Sequence, residues 1–370
     1  MGKRFWFAFG TLGVLIITVA YLRQSNFQPA KEISNSIQAV VHKTYSSPQP
    51  TPYKFEDLTI PYLRSRTYKS SLGELQQIDK NASYTSYLTS YNSDGLKING
   101  LLTVPTGDAP IGGWPAIVFV HGYIPPKQYA TTSRYEEYVD YLTKNGFVVF
   151  KIDLRGNGDS QGQPVGAYYS AGYVIDTLNA YAALQSVHSS SISAMPYPTL
   201  SVTLSINPKK IGLWGHSMAG NIVMRAWTAK ADIPAIVIWS GAGYTYTDLI
   251  KYKLNDSSYQ LISDASSSAN FQFRQQLQKL YGQPDMSNPF WHNIAPANFL
   301  TNLKGAIQID QAQDDTVVNI GYNRDLIKLF DKTSIPHIMY EYPTGGHNIS
   351  GVYFTTAMQH TVDFYKKYLE

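Results

Sequence analysis

The sequence predicts an α/β fold: a mostly parallel central sheet with helices on both faces. Two observations predict it. Short, near-continuous apolar runs recur at residues 116–120, 147–152, 211–214, 235–239, 306–309 and 338–342. Runs without polar alternation fit strands buried on both faces. Between them, segments at 134–143, 173–184, 219–229, 322–330 and 353–368 are long enough for crossover helices. Right-handed crossovers distribute such helices over both sides of a parallel sheet. At 370 residues and 44% apolar composition, the chain has material for a large core.

Taken in order, the chain opens on Lys3 and Arg4, followed by an uncharged run over 5–22 and closed by Arg23. Eighteen helical residues reach about 27 Å, close to the thickness of a bilayer core. The run exceeds the usual ~7–15 residues of a cleavable signal core. Residues 1–23 are therefore expected to be a signal anchor, a transmembrane helix, with cleavage after a small-residue site near Ala20 as the alternative. The positive-inside rule puts the N-terminus in the cytoplasm and the rest of the chain outside. Residues 24–60 are polar and rich in Ser, Gln and Pro, and read as a stalk. One globular domain is expected over 61–370. Its first elements are strands at 84–91 and 96–104, joined by Asn92-Ser93-Asp94-Gly95, a turn signal with a glycine for positive φ. The strand and helix runs follow, interrupted over 243–303 by an insertion with one helical segment at 270–281.

The sharpest motif is Gly215-His216-Ser217-Met218-Ala219-Gly220, between the apolar run at 211–214 and the helix at 219–229. A tight strand-to-helix turn of this kind exposes its central serine at the carboxyl edge of the sheet. It needs small residues two before and two after, which Gly215 and Ala219 supply. The helix N-terminus beneath favours developing negative charge. The chain resembles the α/β-hydrolase superfamily here, and within it the catalytic domain of prolyl oligopeptidase-like serine peptidases. The resemblance runs from about Tyr84 to Leu369. It includes His121-Gly122-Tyr123, the loop from Asp153 through Arg155 to Ser160, and Asn288-Pro289-Phe290-Trp291 before the strand at 306–309. It implies an α/β-hydrolase fold. No counterpart of the family's β-propeller is expected in the fewer than 100 residues ahead of the domain, too few for several four-stranded blades.

A serine hydroxyl needs a neighbouring base, itself oriented by an acid, and in this fold the chain order is Ser, Asp or Glu, His. Of eight histidines, His292, His337, His347 and His360 follow Ser217. His347 sits in Gly-rich sequence directly after the run at 338–342, at the correct strand edge, and is the expected base. His337 precedes that strand, His360 falls inside the last helix as a surface residue, and His292 belongs to the insertion. Asp310, Asp314 and Asp315 follow the preceding strand as candidate acids. The resemblance places the acid first in an Asp-Asp-x-Val turn, which implies Asp314, with Asp315 capping the turn. The backbone N–H of Met218 is one expected oxyanion donor. The second is the N–H of Tyr123, in a loop resembling the family's donor loop. His121 and His216 are expected to pack and to brace loops.

Composition excludes other chemistries. With no cysteine there are no disulfides, thiolate metal sites, thiol nucleophile or lipidated N-terminal Cys. Net charge is only +4, and no long basic run points to nucleic acid. No metal constellation and no phosphate loop appear, and no cofactor is called for. The 29 tyrosines suggest a surface rich in amphipathic aromatics. The expected protein is thus a membrane-anchored serine hydrolase acting through an acyl-enzyme, a peptidase on small peptides by resemblance. A carboxylesterase is the alternative, and an inactive hydrolase-fold binding protein the reading from another class.

Overall fold

The computed structural model describes residues 55–187, 190–195, 201–254 and 269–369, all within a unit spanning Pro52–Glu370. The expected anchor over 5–22 and most of the expected stalk lie outside the described residues. Among the described residues no helix is long and apolar enough to cross a membrane. The folded part begins earlier than expected. A 3₁₀ turn at Phe55–Leu58 and helix α1 (Ile60–Ser65) bury Leu58, Ile60 and Leu63, so residues placed in the stalk belong to the core.

Among these residues the strands are β1 (Leu75–Lys80), β2 (Tyr84–Ser93), β3 (Leu96–Pro105), β4 (Trp114–Val120), β5 (Val148–Ile152), β6 (Ser190–Met195), β7 (Ser201–Leu204), β8 (Ile206–His216), β9 (Ala235–Trp239), β10 (Ala306–Ala312) and β11 (His337–Tyr342). The further helices are α2 (Glu136–Lys144), α3 (Gly172–Gln185), α4 (Met218–Ala229), α5 (Thr247–Tyr252), α6 (Ala269–Tyr281), α7 (Pro289–Ile294), α8 (Gly321–Phe330) and α9 (Phe354–Leu369). The sheet order is β11-β10-β9-β8-β4-β5-β3-β2-β1-β6-β7. From β5 to β11 neighbouring strands are parallel, and β1, β2 and β3 form an antiparallel flank. The chain has the α/β-hydrolase architecture, a mostly parallel sheet with helices on both faces.

The apolar runs are continuous because each strand feeds two cores. In β4, Ala116, Val118 and Val120 enter one core with α3 and α4 residues such as Leu178 and Ile222. Ile117 and Phe119, pointing the other way, enter a second core with Leu142 of α2 and Val362 of α9. Alternate side chains on opposite faces are what a pleated strand requires. The β2–β3 hairpin closes through Asp94 and Gly95, both at positive φ (51° and 84°), with Ser93 opposite Leu96. Paired positive φ values match the right-handed twist of the strands.

Three strands escaped the sequence pattern. β1 buries only its first residue, and β6 and β7 have serine-rich, weakly apolar sequences. The insertion over 243–303 holds α5 and α7 besides α6. α7 is too short to show a period, and it starts instead from a cap, with Asn288 accepting from the Phe290 amide at 2.9 Å and Pro289 at its first position.

Among the described residues most tyrosines do not decorate the surface as composition suggested. Many lie in the cores with the hydroxyl anchored: Tyr365 donates to the Leu213 carbonyl at 2.6 Å, Tyr244 to Asn323 at 2.8 Å and Tyr138 to the Asn348 carbonyl at 2.8 Å. A partner offsets the cost of burying a phenol; the buried Tyr91 and Tyr322 hydroxyls are exceptions without one. A buried ion pair does similar work below the sheet edge. Arg155 meets Asp176 at 2.7 Å with both side chains all but excluded from water, and Asp176 also accepts from Ser93 at 2.6 Å.

Candidate active site

Ser217 stands between the last residue of β8 and the first of α4, at φ 56° and ψ −120°. An L-residue holds that conformation only when its surroundings force it. The packing shows how. A Cβ on Gly215 would lie 2.8 Å from the Ala219 carbonyl oxygen, and one on Gly220 would lie 2.6 Å from the Gly241 Cα. Glycine at both places lets the turn close on itself and on the neighbouring strand end. The Ser217 N–H donates to the Trp239 carbonyl at 2.8 Å, which ties the turn to β9.

His347 follows β11 on a loop that Gly345 and Gly346, both at positive φ, make possible. Its Nδ1 lies 2.9 Å from Asp315 Oδ2, with the carboxylate fully buried and the ring only 18% exposed. Asp315 therefore takes the place expected of Asp314. Its other oxygen, Oδ1, accepts from the Val317 and Val318 amides at 2.8 and 3.0 Å. Gln311 donates to Oδ2 at 3.2 Å. Burial works to raise this carboxyl. The His347 contact and the two amides outweigh it, and the group sits below the usual carboxylate range. Asp314 is exposed and turned to the main chain, accepting from Gly346 N–H at 2.8 Å and Gly345 N–H at 3.3 Å. The correction has a plain cause. The chain reverses after β10, so adjacent carboxylates diverge, one toward the ring and one toward the amides that shape its loop.

Among the described residues the remaining histidines have other surroundings. His337 contacts the Ile335 carbonyl and Asp331 at the far end of β11. His360 is not a solvated residue of the last helix. It stacks on Tyr340 at 3.8 Å and its Nδ1 faces the Tyr342 hydroxyl at 2.9 Å, with burial holding it below the usual imidazole range. His292 is exposed on α7. His121 is buried, its ring nitrogens facing the Gly122 and Asp153 carbonyls at 2.6 and 3.0 Å, and burial pushes it down to about 4. The neutral ring donates to one of the two and braces the start of the loop.

Ser217, His347, His216, Gly122 and Tyr123 line one cleft of about 640 Å³. Arg134, Glu136 and Glu137 at the start of α2 line its outer part, with Phe354 and Thr355 of α9. Met218, the first residue of α4, is 8% exposed, and Tyr123 is 42% exposed on the cleft wall. Among the described residues no group of three or more His, Asp or Glu is arranged to hold a metal. Tyr135 was not found from sequence. One tyrosine among 29 carries no signal, yet its hydroxyl reaches the Gly122 amide at 3.0 Å and His216 Nδ1 at 2.7 Å.

A mostly parallel sheet, a strained serine between strand and helix, and a histidine held by a buried carboxylate define the class. The chain has the fold of the α/β-hydrolase superfamily, and its cleft brings together the serine, histidine and buried carboxylate that a serine hydrolase requires. More particularly, the profile of the family described as serine aminopeptidase, S33, matches residues 115–286. The fold is similar to a Mycobacterium tuberculosis puromycin-hydrolyzing peptidase (18% identity, TM-score 0.56, 78% of this chain and 40% of that one). It is similar to an acetyl xylan esterase from Paenibacillus sp. R4 (16%, TM-score 0.57, 84% and 92%). It is also similar to a Pyrococcus horikoshii acylaminoacyl peptidase (16%, TM-score 0.55, 78% and 42%). The chain thus spans about two fifths of the length of the two peptidases. No curated protein matches it by sequence.

Proposed function

We propose that the protein cleaves small acyl compounds, short peptides first, through an acyl-enzyme on Ser217. The observation that carries the reading is Ser217, in its strained turn, sharing one cleft with His347, which Asp315 holds by Nδ1. With Nδ1–H directed at Asp315, Nε2 is left as the base. It takes the Ser217 proton as Oγ attacks the carbonyl, and the Asp315 charge stabilises the imidazolium that results. The Met218 and Tyr123 N–H groups are the donors assigned to the tetrahedral oxyanion, each worth on the order of 10²–10³ in rate. His347 then returns its proton to the leaving group, and water repeats the cycle on the acyl-enzyme.

The family profile favours a peptidase. A carboxylesterase is the second reading, supported by alignment over 92% of the length of an acetyl xylan esterase. A fluorophosphonate probe is expected to label wild type and to spare Ser217→Ala; equal labelling of both proteins refutes the assignment. Parallel turnover of p-nitrophenyl esters and of aminoacyl and peptidyl anilides separates the two substrate classes. The charge order around the apolar run at 5–22 supports a tether that leaves the domain outside the cytoplasm. Carbonate extraction should leave the full chain in membranes and release a chain starting at Gln24, and release of both removes the tether.

A further inference from the structure

His216 is 3% exposed, and its Nε2 lies 2.9 Å from the His347 main-chain carbonyl. A carbonyl only accepts, so Nε2 carries the proton. Burial pushes His216 down to about 3, so the ring is neutral and its Nδ1 is an acceptor. The Tyr135 hydroxyl, 2.7 Å from Nδ1, therefore donates to it, and in turn accepts from the Gly122 N–H at 3.0 Å. Every proton in this line has one possible direction. It runs from the Gly122 amide through Tyr135 and His216 to the carbonyl of His347.

The surroundings are built to hold this line in place. Arg134 and Tyr135 both have positive φ (65° and 62°), a rare pairing for side-chain-bearing residues. Buried Lys151 donates to the Ser133 and Arg134 carbonyls, both at 2.8 Å, and fixes that bend from below. A Cβ on Gly122 would fall 2.9 Å from Tyr135 Oη and 3.0 Å from His216 Nδ1, so a side chain there would occupy the junction. The His216 ring also lies 4.7 Å from the His347 ring.

We propose that Tyr135 and His216 are positioning residues, a hydrogen-bonded relay that locks the oxyanion loop at Gly122–Tyr123 to the loop carrying the base. The inference rests on the assignment of Ser217, His347 and Tyr123 above. The two loops lie more than 200 residues apart in sequence and serve opposite ends of the same transition state. Holding donor and base in one register lets them act together, and errors of ~1 Å in such registers cost up to about 10²-fold in rate.

Tyr135→Phe removes the hydroxyl and keeps the ring against Phe119, Tyr138 and Trp214. Per active site titrated with fluorophosphonate, kcat should fall about tenfold to a hundredfold while KM moves by less than about twofold. Affinity for a trifluoromethyl ketone, which mimics the tetrahedral state, should fall by the same factor. His216→Gln keeps a donor and an acceptor and should retain more activity than His216→Phe. The Tyr135→Phe/His216→Phe double variant should lose no more than the worse single one, since both break one line. Wild-type kcat in titrated Tyr135→Phe overturns the relay, as do multiplicative losses in the double variant. Absence of labelling of wild type at Ser217 overturns the hydrolase assignment instead, and the relay with it.

Discussion

Replacing Asp315 by Asn separates two adjacent aspartates by their chemistry. The amide must choose an orientation. Asp315 Oδ1 accepts two main-chain N–H groups, from Val317 at 2.8 Å and Val318 at 3.0 Å. An NH₂ in that position would oppose two donors, so the amide oxygen stays there and the NH₂ faces His347 Nδ1, now at 2.9 Å from a carboxylate oxygen. An N–H donor facing Nδ1 favours the tautomer with its proton on Nε2, the atom that receives the Ser217 proton in the proposed mechanism. The variant also lacks the charge that stabilises the imidazolium. In serine hydrolases this substitution costs about 10⁴ in kcat, equivalent to roughly 5.5 kcal/mol of barrier. The turn survives, because its two amide bonds do. Asp314→Asn keeps an oxygen for the Gly346 amide and should lose less than about tenfold, in line with about 1 kcal/mol for an exposed loop bond. The assay is kcat for a p-nitrophenyl ester, with the second-order rate of fluorophosphonate labelling and melting temperatures as controls. A loss of about 10³ or more in Asp314→Asn, beside near-wild-type Asp315→Asn, refutes the pairing and restores the assignment expected from sequence. The sign of the pH effect follows as well. The folded-state pKa of Asp315 is depressed, so its stabilising contribution is present above the unfolded carboxyl value, about 3.9. It is lost as pH falls through the lower folded value, and Asp315→Asn should lack that part of the acid transition.

Two further outcomes are expected. Buried Asp310 accepts from Tyr342 at 2.7 Å and from Gln308 at 2.6 Å, and burial pushes its carboxyl up to about 7. Its neutral form is the one the fold prefers, so stability should decline as pH rises from about 4 through 7, by on the order of 4 kcal/mol at full ionisation. In Asp310→Asn that decline should vanish in denaturant titrations at pH 5 and pH 9, and an unchanged pH dependence contradicts the reading. Asp176→Ala leaves Arg155 charged and buried without its carboxylate, and should cost about 3–5 kcal/mol in urea unfolding. A loss under ~1 kcal/mol would mean that water enters the site.

Much of the site was legible because its signals are local. Ser217 was identified by glycines and small residues within four positions of it, and the same crowding sets its φ of 56°. His347 was identified by position, at the end of a strand whose apolar run was plain in the sequence. The acid was less legible. Asp314 and Asp315 share side-chain type and differ by one place in a turn, so no local property separates them, and the expectation carried over from resemblance picked the wrong neighbour for the ring. Tyr135 and His216 acquire their roles only from partners 81 residues apart in sequence.

By itself, then, the sequence determined the mostly parallel sheet, the order of its longer helices and the serine turn. Each follows from patterns within one strand, one helix or one turn. The tertiary structure decided which carboxylate faces His347, where the described fold begins, and why so many of the described tyrosines are buried. Those answers depend on the direction in which a side chain leaves a reversing loop and on which distant amide or carbonyl is there to meet it. Hydrogen bonds select by distance and angle within a few tenths of an ångström, and that placement exists only once both sides of the sheet are packed.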